Sequence, residues 1–403
     1  MRNDLARSPY VGLARPAEIG ALLRLGPEPL SVFWSNPSRA LHVTGLGVAG
    51  EGGGDVTWLS APPHSCPGPW FGGWAFEAQR PWAGFDAERW ILPEVLAWWD
   101  GTRPWLAAFG PPGTTAAALE RRLSALREVE PFTGTIESRA LPGSRVVWAR
   151  RVDAALAAIA AGTFDKVVLA RVIELECVRD LPERAVLKAL EARHPQCWSF
   201  LVRGRDGQAF VGASPETLCE STGDSFSTDA LAGTAAGGQG GGLLSSDKDR
   251  REHAAVVEGI AESLGPFTLE LSAAAAPTVK GLANVDHLFT PIRAKLKPGV
   301  RPLDVARVLH PTPAVAGRPR DAALAWLRAN EGFDRGWYAG AVGTMGPSGV
   351  TLAVALRSAL LSGSRAQVFV GAGLVTGSTA ADEWLETERK SRAMLPALGV
   401  HDA

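Results

Sequence analysis

The chain has 403 residues, with 41 basic against 42 acidic side chains and a formal net charge of −1, which gives no electrostatic footprint for nucleic acid. Hydrophobic residues make up 46% and charged residues 21%, as in a soluble globular protein with one large core or two ordinary ones. No run of about 18 apolar residues reads as a membrane span. The start, Met1-Arg-Asn-Asp-Leu-Ala-Arg7, lacks an apolar signal-peptide core, so a cytoplasmic protein is expected. Cys66, Cys177, Cys197 and Cys219 show no CxxC spacing and no nearby histidine pair, which fits reduced thiols and not zinc.

Nine of the fourteen tryptophans precede residue 106, so the N-terminal third builds its core from large aromatic pieces. That stretch is rich in Pro and Gly and shows little periodicity. Leu119, Leu123 and Leu126 predict a helix over Thr114–Glu130, and Pro131–Ser144 reads as a connection. Val152–Ala161 is helical with Gly162 as its stop. Asp165–Cys177 is β-rich, Pro182–Arg193 is a helix, and Cys197–Arg203 and Gln208–Glu220 flank the hairpin signal Gly204–Gly207. Phe226–Leu231 continues the strands. The Gly237–Gly242 run reads as a mobile connection, and a helix follows over Asp247–Leu264 with Ser245 or Ser246 as its cap. Trp337–Thr344, Val350–Leu361 and Gln367–Val375 are joined by short turns, which demand antiparallel pairing. A last helix spans Ala380–Leu395. Hairpins with flanking helices, and not regular βαβ alternation, define an α+β pattern.

Gly45-Leu-Gly47-Val-Ala-Gly50 fits the dinucleotide string GxGxxG, but Glu51-Gly-Gly-Gly-Asp55 follows where a helix would have to open, so a hairpin turn is expected. The Gly237–Gly242 run lacks the Gly-Lys-Ser/Thr ending of a phosphate loop.

Chemistry concentrates elsewhere. In Asp247-Lys-Asp-Arg-Arg-Glu-His253 the carboxylates of Asp249 and Glu252 lie three apart on one helix face, and Glu383, Glu386 and Lys390 share a face of the last helix. Paired carboxylates from two helices can hold Mg²⁺, which takes oxygen ligands and keeps waters for a substrate to replace. Taken singly, each helix reads as a solvated face. Lys166 lies in the apolar strand Phe164-Asp-Lys-Val-Val-Leu-Ala-Arg171, with Val168, Ala170 and Val172 on its face. Burial lowers a lysine's pKa by up to about 3–5 units from roughly 10.4, the direction a general base at neutral pH needs. The plain alternative is a strand-end lysine reaching water. Glu216, after Pro215, is by itself a turn carboxylate. Arg357 interrupts the apolar strand Thr351–Arg357, where an arginine needs an anionic partner, structural or ligand. The Gly371-Ala-Gly373 backbone can cradle a carboxylate or form a tight turn.

These segments together resemble the chorismate-utilising enzyme family from about residue 146 to 398, with many separate motifs in the family's order. They are Phe-Asp-Lys-Val-Val-Leu-Ala-Arg (164–171), Gly-Ala-Ser-Pro-Glu-Thr-Leu (212–218), Ala-Leu-Ala-Gly-Thr (230–234) and Asp-Arg-Arg-Glu-His (249–253). Asp-His-Leu-Phe-Thr-Pro-Ile (286–292), His-Pro-Thr-Pro-Ala-Val-Ala-Gly-Arg-Pro (310–319), Gly-Ala-Gly-Leu-Val (371–375) and Glu-Trp-Leu-Glu-Thr-Glu-Arg-Lys (383–390) complete the series. Phe71-Gly-Gly-Trp-Ala-Phe76 resembles a family element in the otherwise divergent N-terminal region, residues 1–145. The resemblance implies one large sandwich of antiparallel sheets with helices outside, the catalytic core being 146–403. It implies Mg²⁺ on Glu252 and Glu386 with Asp249 and Glu383 close by, Lys166 as the base that activates water toward C2 of chorismate, and Glu216 as the acid at the C4 hydroxyl. It also implies substrate contacts at Gly233, Thr234, His287, Tyr338, Arg357, Ala372, Gly373 and Lys390.

Within the family, anthranilate and aminodeoxychorismate synthases typically carry glutamine where this chain has Lys166, and the latter use a lysine where it has Ala232. Water is therefore the expected nucleophile, and no glutamine amidotransferase subunit is expected. The string 310–317 resembles isochorismate synthases more than salicylate synthases, which share the lysine and then eliminate pyruvate. Isomerisation of chorismate to isochorismate, for menaquinone or siderophore biosynthesis, is the expectation. Salicylate formation and silent chorismate binding are its alternatives.

Overall fold

The computed structural model describes residues 10–14, 30–52, 70–99, 104–110 and 135–400 except 142, 284, 347 and 348, with isolated positions 114, 115, 117, 118, 121 and 132 between them. Two sheets account for the strands. One runs Tyr10–Ala14 (β1), Pro104–Phe109 (β8), Val95–Trp99 (β7), Leu41–Leu46 (β3), Leu30–Asn36 (β2), Trp198–Arg203 (β11), Ala209–Ser214 (β12), Ser358–Ser362 (β21), Arg365–Leu374 (β22), Lys166–Cys177 (β10) and Gly317–Arg318 (β18), with Ser138–Leu141 (β9) also on β10. The other runs Thr268–Ala273 (β15), Val285–Leu296 (β17), Ser225–Ala236 (β14), Thr217–Thr222 (β13), Gly349–Val354 (β20), Ala341–Gly346 (β19), Trp70–Trp74 (β5), Glu88–Leu92 (β6) and Gly50–Gly52 (β4), with Thr278–Gly281 (β16) on β17. Neighbouring strands pair antiparallel throughout, as the short turns demanded. The helices are Arg145–Ala160 (α1), Glu183–Arg193 (α2), Asp247–Leu264 (α3), Pro302–Leu309 (α4), Arg320–Asn330 (α5) and Ala380–Ser391 (α6). Among the described residues no helix is long and apolar enough to cross a membrane.

Strand periodicity explains the layers. Along β7 and β8, Leu96, Trp98, Trp105, Ala107 and Phe109 join the larger core, whereas Val95, Ala97, Leu106 and Ala108 join a second cluster with Val186, Leu187 and Leu190 of α2 and Leu395, Ala397 and Leu398 near the C-terminus. The first sheet is therefore buried on both faces, and its strands read as near-continuous apolar runs. The early tryptophans fill the larger core: Trp34, Trp70, Trp90 and Trp98 are each at most 1% exposed.

Several expected elements differ in the structure. Gln208–Glu220 is two strands, β12 and β13, and Val350–Leu361 is also two, β20 and β21, each pair divided between the two sheets. The breaks are at Pro215-Glu216, where proline removes a ladder donor, and at Leu356-Arg357, where Arg357 takes a left-handed φ of 49°. Gly45–Gly50 opens no helix, but it is not a hairpin turn either: it carries the chain from β3 in one sheet to β4 in the other. Gly237–Gly242 is an exposed connection that enters a short 3-10 turn over Gly240–Leu244, and within it Gly240 alone is buried, its N–H donating to Asp286 Oδ2 at 2.7 Å with no room for a Cβ beside Val279. Helix α1 begins at Arg145, capped by the Ser144 hydroxyl on Val147 N–H, and the expected connection before it contains β9. The expected helix over 114–130 lies largely outside the described residues, as does Cys66.

Candidate active site

The two sheet-to-sheet crossings lie side by side, because β12 pairs with β21 and β13 with β20. Val354 N–H donates to the Glu216 carbonyl at 3.1 Å, Ala213 N–H to the Arg357 carbonyl at 3.0 Å, and the Ser214 hydroxyl to the Val354 carbonyl at 2.6 Å. Glu216 and Arg357 thus stand on adjacent, mutually bonded kinks. The turn before β19 docks on the same spot through Ala339 N–H to the Ala355 carbonyl at 3.0 Å, which brings Tyr338 alongside. A bulge in β14 between Ala232 and Thr234 gives Gly233 a φ of 72°. This frees its carbonyl from the ladder to meet the His287 ring at 3.0 Å.

Helices α3 and α6 start beside this point. Ser246 caps α3 by accepting from Asp249 N–H, and Thr379 caps α6 by accepting from Asp382 N–H. Their inner faces present Glu252, Glu386 and Lys390 to a recess also lined by Lys166, Glu216, Gly233, Thr234, His287, Tyr338, Arg357, Gly371 and Gly373. The recess holds about 710 Å³ of atom-free space, part of it open to solvent. Lys166, 1% exposed, donates to Glu252 Oε1 at 3.0 Å. Lys390 donates to Glu386 Oε1 at 2.7 Å and to the Gly371 carbonyl at 2.9 Å. Gly373 makes the first pair possible, since a Cβ there would sit 2.5 Å from Glu252 Oε1 and 3.2 Å from Lys166 Cε.

Burial and charge set the protonation states. Burial, helped by Asp229, pushes the Glu216 carboxyl up to about 7 although Lys166, Lys280 and Arg357 pull it down. Burial would also raise Glu252, but Lys166, with Lys390 and Lys248, outweighs it and holds that carboxyl below its usual value. Burial, Arg357 and Lys390 drive His287 well below its usual range, so the ring is neutral. Its Nδ1–H then donates to the Gly233 carbonyl, and Nε2 accepts from Arg357 Nη2 at 3.1 Å. Burial lowers Arg357 as well. Among the described residues its guanidinium has this one hydrogen bond and no carboxylate ion pair, so donors remain for an anion. Burial pushes Tyr338, stacked on Phe369 with centroids 5.2 Å apart, up to about 12.

Most of the sequence-selected residues therefore meet in one place. Ala372, Asp249 and Glu383 do not line the recess. Ala372 faces the core between Gly371 and Gly373. Glu383, 1% exposed, pairs with Lys248 Nζ at 2.9 Å, and burial and Glu386 raise its carboxyl. Sequence reasoning missed the buried pair Glu331–Arg335. On the edge away from β22, strand β10 has no strand neighbour between its contacts with β18 and β9. There Ala170 N–H donates to Glu331 Oε1 at 2.8 Å and Arg335 Nη2 donates to the Val168 carbonyl at 2.6 Å. The only available signal was an acid and a base four apart, and Asn330, Gly332, Asp334 and Gly336 around them read as a polar loop. Lys280 was missed too; it donates to the Pro215 carbonyl at 2.9 Å, pinning the kink that carries Glu216.

The carboxylates of Glu252 and Glu386 are hard oxygen donors facing one recess, and both meet their lysines through Oε1, so the donor chemistry fits Mg²⁺. Among the described residues no three His, Cys, Asp or Glu side chains form a ready-made metal cluster.

Antiparallel layers with a buried lysine, a high-pKa carboxyl and a spare guanidinium around one recess define an enzyme site for a small anion. Residues 62–399 match the family described as "Chorismate binding enzyme". The chain belongs to that family. It is 35% identical to the "Salicylate biosynthesis isochorismate synthase" of Pseudomonas aeruginosa over 96% of this chain and 91% of that protein. It is 36% identical to "Isochorismate synthase MenF" of Pasteurella multocida over 68% of this chain and 66% of that protein. The solved structure of MenF, "the Menaquinone-Specific Isochorismate Synthase from Escherichia Coli", superposes with a TM-score of 0.82 at 26% identity, covering 97% of this chain and 94% of that one.

Proposed function

We propose that the chain is an isochorismate synthase, an isomerase that moves the ring hydroxyl of chorismate from C4 to C2 using water. The observation that carries this reading is the pairing of Lys166 with Glu216. Both are buried in one recess, Lys166 on β10 and Glu216 at the kink between β12 and β13, and Glu216 is held near pKa 7 so that it can carry a proton at neutral pH. Lys166, acting as the neutral amine and steered by Glu252, takes a proton from water as its oxygen bonds to C2. The ring double bonds shift, the C4–O bond breaks, and Glu216 gives its proton to the departing hydroxide. Return of the proton from lysine to carboxylate through solvent closes the cycle, with one water consumed and one released.

Arg357, Lys390 and the Gly371–Gly373 backbone bind and orient the substrate's carboxylates. The neutral His287 holds Arg357 in place between the Gly233 bulge and the recess. Glu252 and Glu386 would hold Mg²⁺, with Asp249 and Glu383 behind them. When bound, the ion supplies positive charge between these carboxylates and an anionic substrate that they would otherwise repel. Because water is the nucleophile, no amidotransferase partner is needed. The free thiols Cys177 and Cys197 suit a reducing cytoplasm, and the product serves menaquinone or siderophore biosynthesis.

The test is incubation with chorismate and Mg²⁺ followed by NMR of the products. Isochorismate alone is expected. Salicylate with pyruvate would replace this reading by a salicylate synthase, and unchanged chorismate would leave only a binding protein.

A further inference from the structure

Three largely buried carboxylates on α3 and α6 are each matched by a lysine: Glu252 by Lys166 at 3.0 Å, Glu386 by Lys390 at 2.7 Å, and Glu383 by Lys248 at 2.9 Å. The third pair differs from the others. Lys166 and Lys390 line the recess, and Lys248 does not. Lys248 belongs to the first turn of α3, its side chain is 34% exposed, and it reaches in from the solvent side to a carboxylate that is 2% exposed. Among the described residues it is the one cation in an ion pair with Glu383.

An ammonium is an odd choice at the start of a helix, where the dipole favours anions, so its position calls for a compensating gain. That gain is the charge of the acidic group around it. Desolvation disfavours the Lys248 ammonium, but Glu383, then Glu252 and Glu386, more than offset it. Lys248 therefore feels all three carboxylates although it touches one. A compact ammonium on a flexible four-carbon stem, one-third in water, can swing outward once another cation compensates Glu383, unlike the enclosed Lys166.

We propose that Lys248 is a counter-cation built into the metal-free site, neutralising Glu383 until a divalent ion arrives, and that it thereby sets the Mg²⁺ affinity. This rests on the Mg²⁺ reading given under the proposed function. A unit charge several ångströms from a divalent ion raises its dissociation constant by about tenfold or more at a partly solvated site.

The experiment is isothermal titration of Mg²⁺ into the metal-stripped full chain, with melting curves run alongside with and without the ion. Lys248→Met is expected to bind Mg²⁺ about tenfold tighter than wild type, to melt lower without the ion, and to regain the loss when it is added. Lys248→Arg, which keeps the charge, is expected to bind like wild type. Lys248→Gln carries the same expectation as Lys248→Met and serves if the latter does not fold. A folded charge-removing variant that binds Mg²⁺ equally or more weakly overturns the inference, because a merely structural lysine predicts that outcome. A wild type that binds no Mg²⁺ overturns the metal reading and the inference with it.

Discussion

At position 216 burial and the neighbouring Asp229 hold a carboxyl up to about 7, and a proton donor with that value works only while protonated. The rate is therefore expected to fall as pH rises through about 7, and a profile of kcat/KM in the free enzyme checks it. The same shift has a stability consequence. The folded chain keeps this proton where the unfolded chain, near pKa 4.5, has lost it. The associated stability is thus fully present below about 4.5 and is lost as pH rises to about 7, at up to about 1.4 kcal/mol per pH unit. Glu216→Gln does not titrate, so its melting temperature relative to wild type is expected to rise between pH 5 and pH 8. A constant difference would contradict the assignment. At position 166, removal of the amine is expected to lower kcat by roughly 10²–10⁴-fold while chorismate binding by Lys166→Ala, measured by calorimetry, stays close to wild type. Wild-type turnover would reject the base.

Individual elements place these groups by small departures from regularity. Gly373 lies opposite Val168 on neighbouring strands and leaves room for the Lys166–Glu252 pair. Gly373→Ala is expected to push Glu252 aside and cut kcat by at least about tenfold, with a stability loss of about 1–3 kcal/mol from tight packing; steady-state kinetics and urea melts separate the two. Ser246→Ala removes the α3 cap and is expected to cost about 1 kcal/mol. This level also shows why the strands were only partly legible in the sequence. Alternation and turn residues mark β10, β11, β14 and β22 well, because these are decided by local pattern. The change of sheet at Pro215-Glu216 and at Leu356-Arg357 is decided by which strand lies next door, information that one segment does not contain. Glu216 and Arg357 were thus selected by motif, while the reason that they stand together was hidden.

Across the whole molecule, the strands before residue 110 are divided between both sheets, and the tryptophans that seemed excessive for one-third of a chain fill the space between the layers. Trp98, fully buried, is expected to cost about 3–5 kcal/mol on truncation to alanine, measured by denaturant unfolding. The register of these strands was unreadable because large aromatics pack on either face and Gly and Pro interrupt the period, whereas the composition did signal a dense core. Lys166 on β10, Glu216 after β12, Glu252 on α3 and Glu386 on α6 come from distant parts of the chain and converge only once both sheets close. The reaction proposed for that convergence is addition of water at C2 with loss of the C4 hydroxyl. Turnover of chorismate in ¹⁸O-enriched water, with the product examined by ¹³C NMR, tests it most directly. The account predicts that the new hydroxyl at C2 carries the label. Isochorismate whose C2 oxygen is unlabelled would contradict it, since the oxygen would then have come from the substrate itself.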